Sequence, residues 1–133
     1  MRRRPLFAAL PLLGLAACQL PGTASRPASR TVIYFTADSA ALDENAAALI
    51  ADVAERAKTM GSAPVRVRGF AAPDAASSPA FNRSLAESRT RNVADHLVAS
   101  GVDRARIRLQ PRGEVPFEQM AVESRRVEIL IGE

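Results

Sequence analysis

The fold is decided by residues 82–97, with the sequence NRSLAESRTRNVADHL. Its apolar residues recur at helical spacing, and Ser78-Pro79 before it suits a helix start, with serine as the cap and proline in the first turn. The pattern predicts a helix from about Pro79 to Ser100 that stops at Gly101. The apolar stripe of this helix consists of Leu85, Val93 and Leu97.

One arginine lies within that apolar stripe. Arg89 is one turn from both Leu85 and Val93, so a guanidinium faces the core, where it is costly unless an anion meets it. A structural role for Arg89 would be an internal ion pair or an extension to water along its stem. A functional role would be to line a cleft and bind a ligand's carboxylate through its bidentate fork. Asp74, in the preceding loop, can orient Arg89 or accept a ligand's ammonium group. A cation beside an anion suits a zwitterionic amino-acid head.

Another face of the helix carries alternating charges at i, i+4 steps. They are Arg83, Glu87, Arg91 and Asp95. Such a ladder is usually solvated and contributes roughly a few tenths of a kcal/mol per pair. His96, the single histidine, lies beside it without any Ser or Cys motif at a recognisable spacing. We therefore expect no catalysis, and no His/Cys cluster or Gly-rich loop predicts a metal or another cofactor.

Shorter patterns predict the other elements. Asp43, followed by apolar residues at helical spacing, predicts a capped first helix that ends near Gly61. The predicted strands cover residues 32–35, 65–68, 107–109 and 127–131, with loops or irregular segments at 70–78 and 111–124. The order β-α-β-α-β-β predicts an α/β (α+β) two-layer sandwich, with two helices packed on one face of a mixed sheet.

The N-terminus has the pattern of an export signal. Three arginines at residues 2–4 precede an apolar run of 12 residues from Leu6 to Ala17, which is short of the roughly 20 residues that span a bilayer. The run ends in Leu15-Ala16-Ala17-Cys18, with the only cysteine of the chain. This ending resembles the lipobox of bacterial lipoproteins, which implies a signal peptide over residues 1–17 and acylation of Cys18. The alternative is an ordinary signal peptide with an incidental cysteine.

The next segment predicts a tether. Residues 19–30, QLPGTASRPASR, have no hydrophobic period and a composition typical of a flexible linker, with a reach of at most roughly 40 Å. Residues 31–133 then form one domain. The whole chain has 18 basic and 14 acidic residues, but removal of residues 1–17 leaves 15 basic residues and a net charge of about +1. Charge therefore gives no support for a nucleic-acid partner.

The domain resembles the OmpA-like peptidoglycan-binding domain of outer-membrane proteins and lipoproteins. Its second helix is similar to that family's N-x-x-L-S-x-x-R-A-x-x-V-x-x-x-L motif, with Ala86 in place of Ser and Thr90 in place of Ala. The other similar segments are Tyr34-Phe35 with Asp38-Ser39 and Leu42, Gly101-Val102, Arg106-Ile107, Gly113-Glu114 and residues 124–129. Their order and spacing across the domain carry the resemblance.

The resemblance implies a ligand. In that family a loop Asp and the helix Arg hold the free amino-acid end of diaminopimelate in the peptidoglycan stem peptide, which assigns the carboxylate-binding role to Arg89. The family's G-H-T-D reads here as residues 69–72, GFAA, without an acid. Counting back from Asn82 places the pocket acid at Asp74 instead. Asn82 itself either caps local backbone groups or lines the pocket.

These features predict an outer-membrane lipoprotein that binds peptidoglycan non-covalently and tethers membrane to cell wall. Gln19 follows Cys18 where an Asp would, by resemblance, favour retention in the inner membrane. The alternative is a divergent OmpA-like module of an envelope protein complex that has lost peptidoglycan binding. The missing G-H-T-D acid favours that alternative, and Pro111-Arg112, in place of the family's G-Y, implies weaker glycan binding or a changed ligand.

Overall fold

The computed structural model describes residues 29–74 and 76–132, and its elements follow the predicted order. The strands are β1 (Ser29–Tyr34), β2 (Val65–Ala71), β3 (Ile107–Glu114) and β4 (Arg126–Ile131), and the helices are α1 (Glu44–Thr59) and α2 (Pro79–Ala99). Short 3-10 helices at Arg104–Arg106 and Ala121–Ser124 precede β3 and β4. The predicted signal peptide, Cys18 and residues 19–28 of the predicted tether lie outside the described residues.

The four strands form one mixed sheet in the order β1-β4-β2-β3. The last strand of the chain, β4, lies between β1 and β2 and runs antiparallel to both. Strands β2 and β3 are parallel, and α2 supplies the crossover that a parallel pair requires. The predicted two-layer α/β sandwich on a mixed sheet is confirmed.

One face of the sheet packs against both helices. The larger core residues are Ile50 and Val53 from α1, Val93 and Leu97 from α2, and Ile33, Val65, Val67, Val127, Ile129 and Ile131 from the strands. Among the described residues the core cluster extends from Ile33 to Ile131, so this part of the chain buries a hydrophobic core, as a domain must. Neither helix of the described ranges combines the length and hydropathy needed to cross a bilayer.

Both helices begin at the predicted caps. The Asp43 carboxylate accepts the Ala46 N–H at 2.7 Å, and the Ser78 hydroxyl accepts the Phe81 N–H at 3.1 Å. Gly61 follows the end of α1 with φ of +62°, a left-handed conformation that glycine adopts without steric cost. Local capping chemistry therefore fixes where α2, which carries the candidate site, begins.

We expect Ser78→Ala to lower the free energy of unfolding by about 1 kcal/mol, since it removes the side-chain acceptor of an N-terminal N–H. Ser84→Ala is the matched control: Ser84 is exposed within α2, and alanine has the higher helix propensity. Urea unfolding monitored by circular dichroism compares the two. Equal stability of both variants would show that the Ser78 cap does not stabilise α2.

Three predicted boundaries are corrected. β1 begins at Ser29, two residues before the predicted domain start, because its first residues pair with the end of β4. β2 continues through Phe70 and Ala71, which were predicted as loop, since pairing with β3 resumes after a register shift. β3 extends to Glu114 and includes Pro111, which is tolerated because β3 is an edge strand, where a missing N–H need not break a ladder bond.

The charge ladder of α2 is solvated, as predicted, but its i, i+4 ion pairs do not form within the described part of the chain. Arg83, Glu87 and Arg91 are exposed, and Asp95 instead accepts from Arg104 at 3.1 Å. Exposed pairs gain little from holding two long side chains in one geometry, so solvation competes well with pairing.

Candidate functional site

Arg89 is buried completely, with 0% of its surface exposed. Its Nε donates to the Ser39 carbonyl at 2.8 Å, Nη1 to the Phe70 carbonyl at 3.1 Å and Nη2 to the Thr36 carbonyl at 3.0 Å. No carboxylate lies within ion-pair distance of it in residues 29–74 and 76–132. The internal ion pair and the extension to water, the two structural alternatives for Arg89, are therefore both wrong.

The hydrogen-bond partners of Arg89 are three neutral carbonyls, so none of them balances its charge. Burial, and then the nearby Arg125, lower the pKa of Arg89 to about 10, well below the usual value of a guanidinium, while Asp38 acts in the opposite direction. The Phe35 ring, with its centroid 5.2 Å from Cζ, gives a further cation–π contact. At neutral pH the group remains a cation, and burial makes an added anion favourable beside it.

Arg89 lines a cavity of about 270 Å³ at one end of the sheet. The cavity lies where the segment after β1, the loop after β2, the start of α2 and the segment before β4 come together. Its lining residues are Ala37, Asp38, Ala72, Pro73, Asp74, Asn82, Leu85, Arg89, Phe117, Ala121 and Arg125. The three residues predicted as a ligand site, Arg89, Asp74 and Asn82, are thus brought to one cavity.

Asp74 lies at the rim of this cavity rather than against Arg89. It is exposed, and its Oδ1 accepts the Ala76 N–H at 2.9 Å, which closes a local turn. Within the described residues Asp74 makes no hydrogen bond to Arg89, so the expected orienting role is wrong. Its carboxylate can still accept a cation in the cavity.

Asn82 is 2% exposed and lines the cavity. Its Nδ2 donates to Glu114 Oε1 at 2.7 Å, which connects the first turn of α2 to the end of β3. Of the two roles predicted for Asn82, the side chain takes the one at the pocket. The hydrogen bond also fixes the Glu114 carboxylate near the same end of the sheet.

Two charged residues of the cavity were missed. Asp38 lies in the turn after β1 with φ of +53°, a conformation that Asp and Asn adopt more readily than most residues. Arg125 precedes β4, and its Nε donates to the Phe35 carbonyl at 3.1 Å. Asp38 enters the sequence analysis only through the segment Asp38-Ser39, and Arg125 only as part of residues 124–129. The neighbouring Arg126 contacts an acid, Glu128, at 2.9 Å.

Close packing of β2 on α2 holds Arg89 in place. Gly69 of β2 faces α2, where an added Cβ would lie 1.9 Å from Thr90 Oγ1 and 2.5 Å from the Ala86 carbonyl oxygen. Glycine therefore permits an approach that no other residue allows. This approach brings the Phe70 carbonyl within hydrogen-bonding distance of Arg89.

A family model described as the OmpA family matches residues 34–127. The chain belongs to the OmpA family. Among curated proteins, Outer membrane protein 40 of Porphyromonas gingivalis is 35% identical over 91 residues, which cover 68% of this chain and 23% of that protein. The chain thus corresponds to less than a quarter of this much longer relative.

Solved structures share the OmpA-like fold. The peptidoglycan-associated lipoprotein from Burkholderia pseudomallei has a TM-score of 0.66 at 20% identity, covering 75% of this chain and 88% of that one. The C-terminal domain of Helicobacter pylori MotB has a TM-score of 0.68 at 22% identity, covering 77% of this chain and 84% of that one. The cell wall anchor of the T6SS from Pseudomonas aeruginosa has a TM-score of 0.66 at 23% identity, covering 79% of this chain and 81% of that one. At these identities the likeness establishes the fold alone.

Proposed function

We propose that this chain is an outer-membrane lipoprotein, anchored through Cys18, that binds peptidoglycan non-covalently and tethers membrane to cell wall. The observation that carries the proposal is a buried cation, Arg89, which has no carboxylate at ion-pair distance among the described residues and lies at a small cavity with two acids at its rim. Membership of the OmpA family and the fold shared with a peptidoglycan-associated lipoprotein support it. The role is binding rather than catalysis.

The charges of the cavity match the free amino-acid end of diaminopimelate. Arg89 has five N–H donors and uses three on carbonyls, which leaves two for a ligand's carboxylate. Asp74 and Asp38 can receive the ammonium group. A volume of about 270 Å³ suits the end of a side chain rather than a whole glycan unit, since pockets for larger ligands start at roughly 300 Å³.

Ligand entry requires a side-chain movement. Because Arg89 has no exposed surface, a carboxylate reaches it only if a neighbouring side chain, such as Arg125, is displaced. Arg125 would then lie beside the incoming carboxylate and add a second cation to the site. Arg125 is half-buried, and its rotation gives up the hydrogen bond to the Phe35 carbonyl, a loss that charge-assisted hydrogen bonds to the incoming carboxylate offset.

The proposed anchor and the cavity lie at opposite ends of β1. Ser29, where the predicted tether joins the domain, pairs with Ile131 at one end of the sheet. Tyr34 ends the strand at the other, and the cavity residues Ala37 and Asp38 follow it. Six residues of strand separate the two points by roughly 20 Å. This arrangement directs the cavity away from the attachment point, as a tether between two surfaces requires.

The proposal predicts weak single-site binding and useful avidity. Each charge-assisted hydrogen bond contributes about 1.5–3 kcal/mol, so one cavity should bind in the micromolar to millimolar range. Many anchored copies that face one polymer raise the effective affinity.

Co-sedimentation of residues 19–133 with purified diaminopimelate-type sacculi tests the proposal. We expect Asp74→Asn to weaken binding about tenfold by removing one charge-assisted interaction, while the asparagine keeps the acceptor for the Ala76 N–H. Asp52→Asn, which removes an exposed acid from α1, is the control and should bind as the wild type does. A loss with Asp38→Asn instead would move the ammonium site to that acid.

Lysine-type sacculi provide a second control, since lysine lacks the extra carboxylate of diaminopimelate. We expect binding only to the diaminopimelate type, because the lysine side chain does not carry a carboxylate and an ammonium group together at its end, as the proposed site requires. If the wild type stays in the supernatant with both, peptidoglycan binding is refuted. The chain would then act as a protein-interaction module of an envelope complex.

A further inference from the structure

The face of the sheet that neither helix covers is strongly basic. Side chains alternate along a strand, so residues between the core positions point to the side opposite the helices. On the four strands these positions include five arginines, which we call the arginine face: Arg30, Arg66, Arg68, Arg108 and Arg126. Their concentration on one face contrasts with the net charge of about +1 that remains after removal of residues 1–17.

Glu128 is the acid that partners this face within the described residues. It is 5% exposed and accepts from Arg30 at 2.7 Å and from Arg126 at 2.9 Å. Arg68 donates to the neutral amide of Gln110 at 3.0 Å. One carboxylate therefore serves two of the five cations, and the arginine face keeps a large positive excess.

Arg66 and Arg108 are direct cross-strand partners on the parallel pair of β2 and β3. Like charges directly opposite each other destabilise a sheet. In residues 29–74 and 76–132 neither has a carboxylate at ion-pair distance, and Arg108 donates to the backbone carbonyls of Ala105 and Ile107. An anion from outside the chain would remove this repulsion.

Leu130 indicates how the arginines are oriented. It lies on the face without helices, yet it is only 3% exposed, and its cross-strand partners are Arg30 and Arg66. Arginine stems cover apolar surface while their charged heads remain in water. The stems of Arg30 and Arg66 therefore flank Leu130, and the side chain of Arg30 keeps 58% of its surface exposed. Tyr34 lies exposed on the same face, opposite Arg126.

We propose that the arginine face binds the surface of a membrane that contains anionic phospholipids. Guanidinium groups bind phosphate oxygens in bidentate fashion. Four adjacent strands distribute these groups over roughly 14 Å, which fits an extended surface better than a single small ion. An exposed tyrosine among them suits the headgroup layer, where an aromatic ring with a polar end is favoured.

The chain before β1 favours a membrane as the partner. Ten residues, 19–28, separate Cys18 from Ser29, and they span at most roughly 36 Å. Arg30 is the second residue of β1, so the arginine face begins where the predicted tether ends. This step rests on the proposed anchoring at Cys18, whereas affinity for anionic lipid follows from the face itself.

The arginine face and the cavity are separate surfaces. None of the five arginines lines the cavity that contains Arg89. The face covers the side of the sheet, and the cavity lies beyond the strand ends. A membrane contact therefore leaves the cavity free to bind, and it orients the domain at the membrane from which the tether extends.

Vesicle co-sedimentation of residues 19–133 tests the inference without a lipid anchor. We expect pelleting with vesicles of phosphatidylcholine and phosphatidylglycerol, loss of pelleting at high salt, and none with phosphatidylcholine alone. The double variant Arg66→Gln/Arg108→Gln should bind these vesicles about thirty-fold more weakly than the wild type. Each basic residue near an anionic surface contributes about fivefold to the affinity, and the two contributions multiply. The control Arg83→Gln/Arg91→Gln removes the same charge from the exposed face of α2 and should bind as the wild type does.

Two results would overturn the inference. One is that the wild type does not pellet with anionic vesicles, and binding to an acidic polypeptide in their place would not rescue it. The other is that the two double variants lose vesicle binding equally. The sacculus assay keeps the two proposals apart. Both double variants should bind sacculi normally, and Asp74→Asn should bind vesicles normally. Failure of sacculus binding refutes the proposed function and leaves the vesicle result intact.

Discussion

Arg89→Met should lower the free energy of unfolding by about 3 kcal/mol and abolish binding to sacculi. The substitution keeps most of the apolar volume but removes the donors to the carbonyls of Thr36, Ser39 and Phe70. Hydrogen bonds from a charged donor contribute roughly 1.5–3 kcal/mol each. Relief from burying a cation offsets part of that loss, which is why the expected cost lies below the sum of three bonds.

Urea unfolding measures the stability change, and Arg125→Met is the matched control. Arg125 lines the same cavity but donates one hydrogen bond, to the Phe35 carbonyl. Its replacement should therefore cost about 1 kcal/mol. It also removes a cation that lowers the pKa of Arg89. If Arg89→Met were as stable as Arg125→Met, the three carbonyl contacts would not stabilise the fold.

Arg89→Lys separates charge from geometry. Lysine keeps a cation, but its shorter point charge cannot reach three carbonyls and a carboxylate together. We expect the free energy of unfolding of Arg89→Lys to lie between those of the wild type and Arg89→Met, and we expect this variant not to bind sacculi. The folded fraction of each variant, measured by circular dichroism in the binding buffer, shows whether lost binding reflects the site or unfolding. Wild-type binding by a folded Arg89→Lys would contradict bidentate recognition.

The burial of Arg89 could be predicted from the sequence, but its partners could not. Helical spacing alone places Arg89 among Leu85 and Val93, because the period of a helix fixes which face a residue shares. The partners are backbone carbonyls, two of them about fifty positions earlier in the chain. Every residue carries such a carbonyl, so no side-chain pattern identifies them.

Strand lengths and loop acids were predicted less well for a related reason. β2 continues past Gly69 because it pairs with β3 again after a register shift, and pairing between distant segments leaves no local signal. Asp74 was predicted at the cavity by counting back from Asn82. Asp38 lies at the cavity because the chain turns there with positive φ, and the sequence shows only that Asp tolerates such a turn.

Gly69→Ala should destabilise the domain by about 3 kcal/mol, the upper part of the usual range for overpacking. The new Cβ would lie 1.9 Å from Thr90 Oγ1 and 2.5 Å from the Ala86 carbonyl oxygen. The threonine hydroxyl can rotate only by giving up its own bond to that carbonyl, at 2.7 Å. The carbonyl belongs to α2 itself, so β2 and α2 must separate, and the Phe70 carbonyl then moves away from Arg89.

The double variant Gly69→Ala/Thr90→Ala identifies the cause. Removing the Thr90 hydroxyl should recover about 1 kcal/mol of the lost stability. The rest of the loss should remain, because the added Cβ still clashes with the Ala86 oxygen. Gly61→Ala is the contrasting control, since nothing lies within 4 Å of its added Cβ and only the positive φ opposes it, a cost of about 1 kcal/mol. Thermal unfolding of the four proteins provides the comparison. A Gly69→Ala variant no less stable than Gly61→Ala would show that β2 can move away from α2 without cost, and the close approach would then not be what positions Arg89.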